Sequence, residues 1–211
     1  MHYYNFRLEK KNNNWRNYHM KQIIQDERYQ VTDHAIQDAF FLCIQEQPMN
    51  KITVSKIIKK AGIVRSTFYN HYESVPALIS SLEEQTMQKL FNILDTFHPK
   101  NDYEICKSFY LTICNYTMEN PFLSELLRSP QGDEFFKKLL KMFHQYVAKV
   151  TQTTSPKSYS SEVLSYVIAS SIGSSLGILH KWSLSNFELP ADTVATILTK
   201  TFLATFRPFL S

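Results

Sequence analysis

A chain of 211 residues, 44% apolar and with only four glycines, has material for a substantial core and too few turn formers for a β-rich fold. Its net charge of +4 is uneven: residues 1–80 hold 11 Lys and Arg against 7 Asp and Glu, whereas 81–211 hold 12 against 12. Any polyanion-binding surface therefore belongs in the N-terminal part. No apolar run approaches the roughly 18 residues of a membrane span, and the first twenty residues are too polar for a signal peptide, so a cytoplasmic protein with no membrane partner is expected. Cys43, Cys106 and Cys114 form no CxxC pair and have no histidine at zinc-finger spacing. They are expected to be reduced core thiols, with neither metal site nor cofactor.

Residues 1–28 are polar and aromatic, with Arg7, Lys10, Lys11, Arg16, Lys21 and Arg28 among them. They form an N-terminal extension, either a basic arm for a polyanion or a solvated tail. Thr32 is a candidate N-cap for a first long helix, whose stripe of Ala35, Ile36, Ala39, Phe40 and Cys43 runs on until Pro48 stops it. Val54, Ile57, Ile58 and Ala61 then mark one face of a short helix behind Thr53. Gly62 supplies a left-handed stop, and a second short helix follows with Phe68 and Tyr72 on one side and Arg65, Ser66, Tyr69 and Asn70 on the other. Two short helices joined by a tight glycine turn, the second with a polar and cationic outer arc, form the pattern of a helix-turn-helix that enters the DNA major groove.

Ser74 and Pro76 open a longer helix through Leu78, Leu82, Leu90 and Leu94, which ends before Pro99. Helical patterns then recur without strand-like alternation: Asp102 to Glu119, Phe122 to Arg128, Asp133 to Val150, Ser160 or Ser161 to about Trp182, and Pro190 to about Phe206 with Pro208 beyond. The fold class is all-α, with about nine helices.

The run from Thr53 to Tyr72 resembles the TetR family of bacterial transcriptional regulators. The signature places are held by Thr53, Ile57, Ala61, Gly62, Ile63, Arg65, Ser66, Thr67, Phe68, Tyr69, His71 and Tyr72. Beyond Leu78 the resemblance is one of helix order. It implies a helix-turn-helix DNA-binding domain over 29–75 and a helical effector-binding and dimerisation domain over 76–211. It also implies that Thr53, Thr67, Tyr69 and His71 contact phosphates while Arg65, Ser66 and Asn70 face base edges. Arg can reach guanine bidentately and Asn can pair with adenine, so the chemistry agrees. Lys56 adds a cationic flank. Two places depart from the pattern: Val64 cannot cap the second short helix, and Val75 stands where a lysine is common.

Gly173 and Gly177, among serines at 170, 171, 174 and 175, would let another backbone approach closely. By the resemblance, the last two helices pair across a two-fold axis. Ile172, Gly173, Leu176, Gly177 and His180 are the expected dimer-interface residues, and a palindromic stretch of double-stranded DNA is the expected partner of such a homodimer. An effector pocket would draw on Phe109, Tyr110, Tyr116, Phe143, Tyr146, Tyr166 and Trp182, although aromatic residues at helical spacing also make ordinary core. The body's partner is then an unidentified small molecule or another protein. No Gly-x-Ser-x-Gly elbow or phosphate-cradling glycine loop is present, and His144 and His180 have no carboxylate at a telling offset, so no catalytic residues are expected.

Overall fold

The computed structural model describes residues 26–97, 102–129, 132–154 and 160–210. Within them are nine α-helices and one 3-10 turn. The first helix, α1, is described over 26–46. A 3-10 turn at Met49–Lys51 leads to α2 (Val54–Ala61), α3 (Arg65–His71), α4 (Val75–Asp95), α5 (Tyr103–Glu119), α6 (Pro121–Arg128), α7 (Gly132–Thr154), α8 (Ser161–Leu184) and α9 (Ala191–Leu210). None of the described helices is long and apolar enough to cross a membrane. The chain divides into two compact units, 1–78 and 79–211.

In the N-terminal unit the stripe of α1 is inward: Ile36, Ala39, Phe40 and Cys43 are buried together with Ile57, Phe68, Tyr72, Val75 and Leu78. Thr32 does not cap α1. The helix already runs through residues 26–31, and the Thr32 hydroxyl donates back to the Arg28 carbonyl at 2.9 Å. A threonine inside a helix satisfies its hydroxyl on the preceding turn in this way, which is why its sequence signal imitated a cap. Of the expected extension, residues 1–25 lie outside the described residues, and 26–28 belong to α1.

The second unit contains most of α4 and all of α5–α9. Its main core joins α5, α8 and α9 through Cys106, Tyr110, Cys114, Leu179, Trp182, Val194, Leu198, Phe202 and Leu203, with Phe97 at the end of the segment after α4. Asp102 caps α5, accepting from the Glu104 and Ile105 amides at 2.9 and 3.2 Å. Asn120 caps α6, which has Pro121 in its first turn, and Ser160 caps α8. These three side chains satisfy amides that would otherwise be orphaned at helix starts. Small polar groups stitch α6 to α8: Ser183 Oγ donates to the Ser124 carbonyl at 3.1 Å, and Arg128 Nε donates to the Ser183 carbonyl at 2.9 Å. Gly132 has no room for a side chain, since a Cβ there would lie 2.1 Å from the Leu126 carbonyl oxygen. Two helices outrun their expected ends: α7 reaches Thr154, and α9 continues through Pro208 to Leu210. A proline so near a helix terminus forgoes one backbone bond and leaves few turns to disrupt.

Candidate nucleic-acid interface

The turn between α2 and α3 is built from the backbone outward. Gly62 takes φ +66°, and the amides of Gly62 and Ile63 both converge on the Ile58 carbonyl, closing α2. The chain then resumes as α3 with Phe68 fully buried, in edge contact with Tyr69 at 5.7 Å and tilted against Tyr72 at 6.1 Å. Because Phe68 is the inward anchor, residues on the opposite arc must face out. Arg65, Ser66, Tyr69 and Asn70 are all exposed, and Thr67 is half-buried. The Arg65 guanidinium carbon lies 5.9 Å from the Tyr69 ring centroid, an aromatic contact that steers the cation along the outer face of α3.

Thr53 is the N-cap of α2 and is exposed, yet its hydroxyl makes no capping bond. Val64 likewise provides no side-chain cap to α3, as its chemistry requires. Residues 54–71 contain Lys56, Lys59, Lys60 and Arg65 and no acidic residue. Two of these cations are engaged with the end of α1: Lys56 Nζ donates to Gln47 Oε1, and Lys60 Nζ pairs with Glu46 at 2.7 Å. The Glu46 carboxylate raises the Lys60 ammonium above its ordinary pKa by accepting that bond, against a smaller desolvation effect. Lys56 thus leans on Gln47, while remaining exposed.

His71 departs from expectation. Its side chain is only 4% exposed and is stacked on Tyr29 at 4.0 Å between ring centroids. Nδ1 lies 3.5 Å from Asp33 Oδ1 without forming a hydrogen bond. The imidazole is therefore part of the unit's interior and is withdrawn from any phosphate surface. Around it Asp33 accepts from the Tyr72 hydroxyl at 2.6 Å and from Gln37 Nε2 at 2.9 Å. The sequence offered no sign of this α1–α3 network, because Tyr29, Asp33 and Gln37 sit on a face that looks like an ordinary polar helix surface. Val75 is buried as well, so the place where a lysine is common belongs to the core here. Ser74 still caps the helix that follows, accepting from the Ala77 amide at 3.2 Å.

In the second unit the expected interface residues separate. Gly173, Gly177 and His180 are exposed, Leu176 is half-buried and Ile172 is only 7% exposed, turned into the body. An added Cβ at Gly173 or Gly177 would meet nothing within 4 Å. Val163, Tyr166, Ser170, Gly173, Gly177, His180 and Leu184 recur at three- and four-residue spacing and are all exposed, forming one outward stripe of α8.

The aromatic set expected to line a cavity separates too. Phe109 is stacked on Phe97 at 4.1 Å, Tyr110 is buried in edge contact with Phe202 at 5.9 Å, and Trp182 is buried with its indole N–H donating to the Leu189 carbonyl at 2.8 Å. Burial pushes the Tyr110 phenol well above its ordinary pKa, against the smaller lowering effect of its hydrogen bond with Ser175. Tyr116 accepts from Asn120 Nδ2 at 2.9 Å, and its phenol is also raised, chiefly by burial. Phe143 is half-buried on α7, and the Tyr146 side chain lies outside the described residues. Tyr166 is 73% exposed and belongs to the outer stripe of α8 instead of an interior lining. Ser81, Glu84, Gln85, Gln88, Lys89 and Asn92 form a shallow, open polar face of α4 that involves none of these aromatic residues. No cluster of three metal-binding side chains occurs among the described residues.

A three-helix unit with a glycine-turned helix-turn-helix, followed by an all-helical second unit, is a fold shared with solved structures of transcriptional regulators. Solved structures with this fold include the fatty acid degradation regulator FadR from Bacillus halodurans, with a TM-score of 0.64 and 16% identity over 83% of this chain and 96% of that one. A TetR transcriptional regulator from Streptococcus agalactiae 2603V matches with a TM-score of 0.58 and 21% identity, covering 86% and 98% of the two chains. In sequence, the uncharacterized HTH-type transcriptional regulator YxbF of Bacillus subtilis (strain 168) is 30% identical over 86 residues, 40% of this chain. The match spans 22% of that curated relative's length. No protein-family model matches the chain.

Proposed function

We propose that this protein is a DNA-binding transcriptional regulator that occupies a palindromic operator as a homodimer and acts as a repressor released by a small molecule. The observation that carries the proposal is the outer arc of α3, where Arg65, Ser66, Tyr69 and Asn70 are exposed over a buried Phe68 on a stretch with no acidic residue. Arg65 and Asn70 have the donors and acceptors to read base edges, while Thr53, Thr67 and the Tyr69 hydroxyl fix register on phosphates. His71 contributes by packing only. The exposed stripe of α8, with Ser170, Gly173 and Gly177 at its centre, supports pairing with a second copy, which brings two α3 helices to successive half-sites. An effector would act by binding one spacing of the two copies better than the other.

The test is selection of bound duplexes from random DNA, repeated with Arg65→Ala and Tyr69→Phe. The expected result is a palindromic consensus that relaxes at one position per half-site with the first change and weakens for all sequences alike with the second. Failure to enrich any duplex at low salt would sink the proposal.

A second reading, in which the body binds a protein partner in place of a small ligand, is favoured by the aromatic core. Phe97, Phe109, Tyr110 and Phe202 pack against one another, which leaves their mutual contacts to be broken before a ligand could enter among them. Native mass spectrometry of protein purified from its host separates the two. A retained small molecule favours the first reading, and a stoichiometric protein partner the second.

A further inference from the structure

We propose that Val64 is a specificity residue that recognises the 5-methyl group of a thymine in the major groove. The inference rests on the DNA-binding reading above and concerns which base the front of α3 selects. Val64 immediately precedes α3 and is 67% exposed. Large apolar side chains exposed elsewhere in the same unit have other settings: Val31 and Leu42 lie on α1, and Tyr29 covers His71. Only Val64 and Tyr69 belong to the segment that carries Arg65, and Tyr69 has a hydroxyl to satisfy on a polar partner.

The backbone holds Val64 in place. Its φ and ψ are −85° and 159°, and its carbonyl accepts the Thr67 amide at 3.0 Å and the Phe68 amide at 3.4 Å. The preceding residue is fixed by the Ile63 amide on the Ile58 carbonyl at 3.2 Å. A β-branched side chain on so constrained a backbone has little rotamer freedom left to lose when it meets a partner. It also has neither donor nor acceptor, so it cannot pair with the polar edges of guanine, adenine or cytosine.

The thymine methyl is the one apolar group displayed in the major groove, and the first residues of a recognition helix are those that reach base edges. Arg65 is drawn over Tyr69, one turn further along, so the two neighbours address different positions. An exposed valine at this point therefore complements a methyl group and gains by leaving water with it.

The test uses the duplex recovered by selection. Each thymine of the half-site is replaced in turn by deoxyuridine, which removes the methyl and leaves base pairing unchanged. For the wild-type chain, one position per half-site should lose roughly three- to fivefold in affinity, about the value of one buried methyl group. Val64→Ala should bind the thymine duplex weaker by a similar factor and be indifferent to deoxyuridine there. Val64→Ser, which can cap α3, should raise thermal stability and still be indifferent, separating base recognition from helix support. If deoxyuridine is neutral at every position, or its effect persists in both variants while specific binding is intact, the inference about Val64 fails and the DNA-binding reading stands. If selection recovers no duplex, both fall.

Discussion

The Tyr72 hydroxyl donates to Asp33 Oδ1 at 2.6 Å across 39 residues of sequence, tying the residue that ends α3 to the middle of α1. Gln37 Nε2 closes the triangle, donating to Asp33 Oδ2 at 2.9 Å and to the Tyr72 oxygen at 3.2 Å. The candidate DNA-reading helix is thus held at its far end by a polar clamp and at its centre by Phe68. Tyr72→Phe would keep the ring packing and remove the clamp's shortest bond. Hydrogen bonds to charged acceptors contribute about 1.5–3 kcal/mol, and the Asp33 side chain is 25% exposed, so water recovers part of this. The expected loss is about 1–2 kcal/mol, seen as roughly tenfold faster hydrogen exchange of the α3 amides. Unchanged exchange would show that packing alone fixes α3.

Gly62 is required for its conformation and not for its size. Its φ is +66°, and a Cβ there would meet nothing within 4 Å. Gly62→Ala should therefore cost only the backbone penalty, about 1–2 kcal/mol, and Gly62→Asn clearly less. Thermal melts of the two variants check the order. If alanine is tolerated without loss, the left-handed turn is not what stops α2.

What was legible in the sequence was what is decided locally. Gly62, Asp102 and Ser160 each act within a few residues of themselves, so a glycine stop or a small polar residue at a helix start announces its helix end. The outer arc of α3 was legible for a similar reason: once Phe68 is the anchor, helical geometry assigns Arg65, Tyr69 and Asn70. The rest depends on distant partners. His71 is turned inward by Tyr29 and Asp33, which no short window contains. Tyr166 and Tyr110 both sit at helical spacing, yet one is exposed and the other buried, because the neighbour that covers a helix face is not written in the helix. Thr32 misled because a hydroxyl bonded back to the previous turn and a hydroxyl capping a helix start look alike in sequence.

The α8 stripe gives a test of pairing that folding alone cannot imitate. Since nothing lies near Gly173 or Gly177, replacing both with glutamine places the new side chains in solvent in a single chain. Helix propensity then favours the variant by roughly 0.5 kcal/mol per site. If the stripe meets a second copy, the same side chains block a close backbone approach. The expected outcome is an unchanged or higher melting temperature for the monomer together with dissociation at micromolar concentration in sedimentation. A variant that self-associates like the parent would remove this face from the interface.

The three thiols yield a prediction in which the sign of a titration matters. Cys43, Cys106 and Cys114 are all buried, and Cys114 has no exposed surface. Burial pushes the Cys114 thiol from its ordinary 9.0 up to about 12. Burial also raises Cys106, with the Asp102 carboxylate adding to it, and raises Cys43 against the opposing charge of Lys60. A thiol held protonated by folding is no nucleophile, so none of the three should react with iodoacetamide at pH 8 until the chain unfolds. Above pH 9 an unfolded Cys114 releases its proton while the folded one retains it. The unfolded state then binds fewer protons, and stability must fall as pH rises from about 9 towards 12. The slope for one such group is at most about 1.4 kcal/mol per pH unit. Cys114→Ala should lose stability at pH 8 through the space it vacates, yet decline less steeply than the parent between pH 9 and 11. Parallel declines would mean that the thiol reaches solvent in the native protein, and rapid alkylation at pH 8 would lead to the same conclusion.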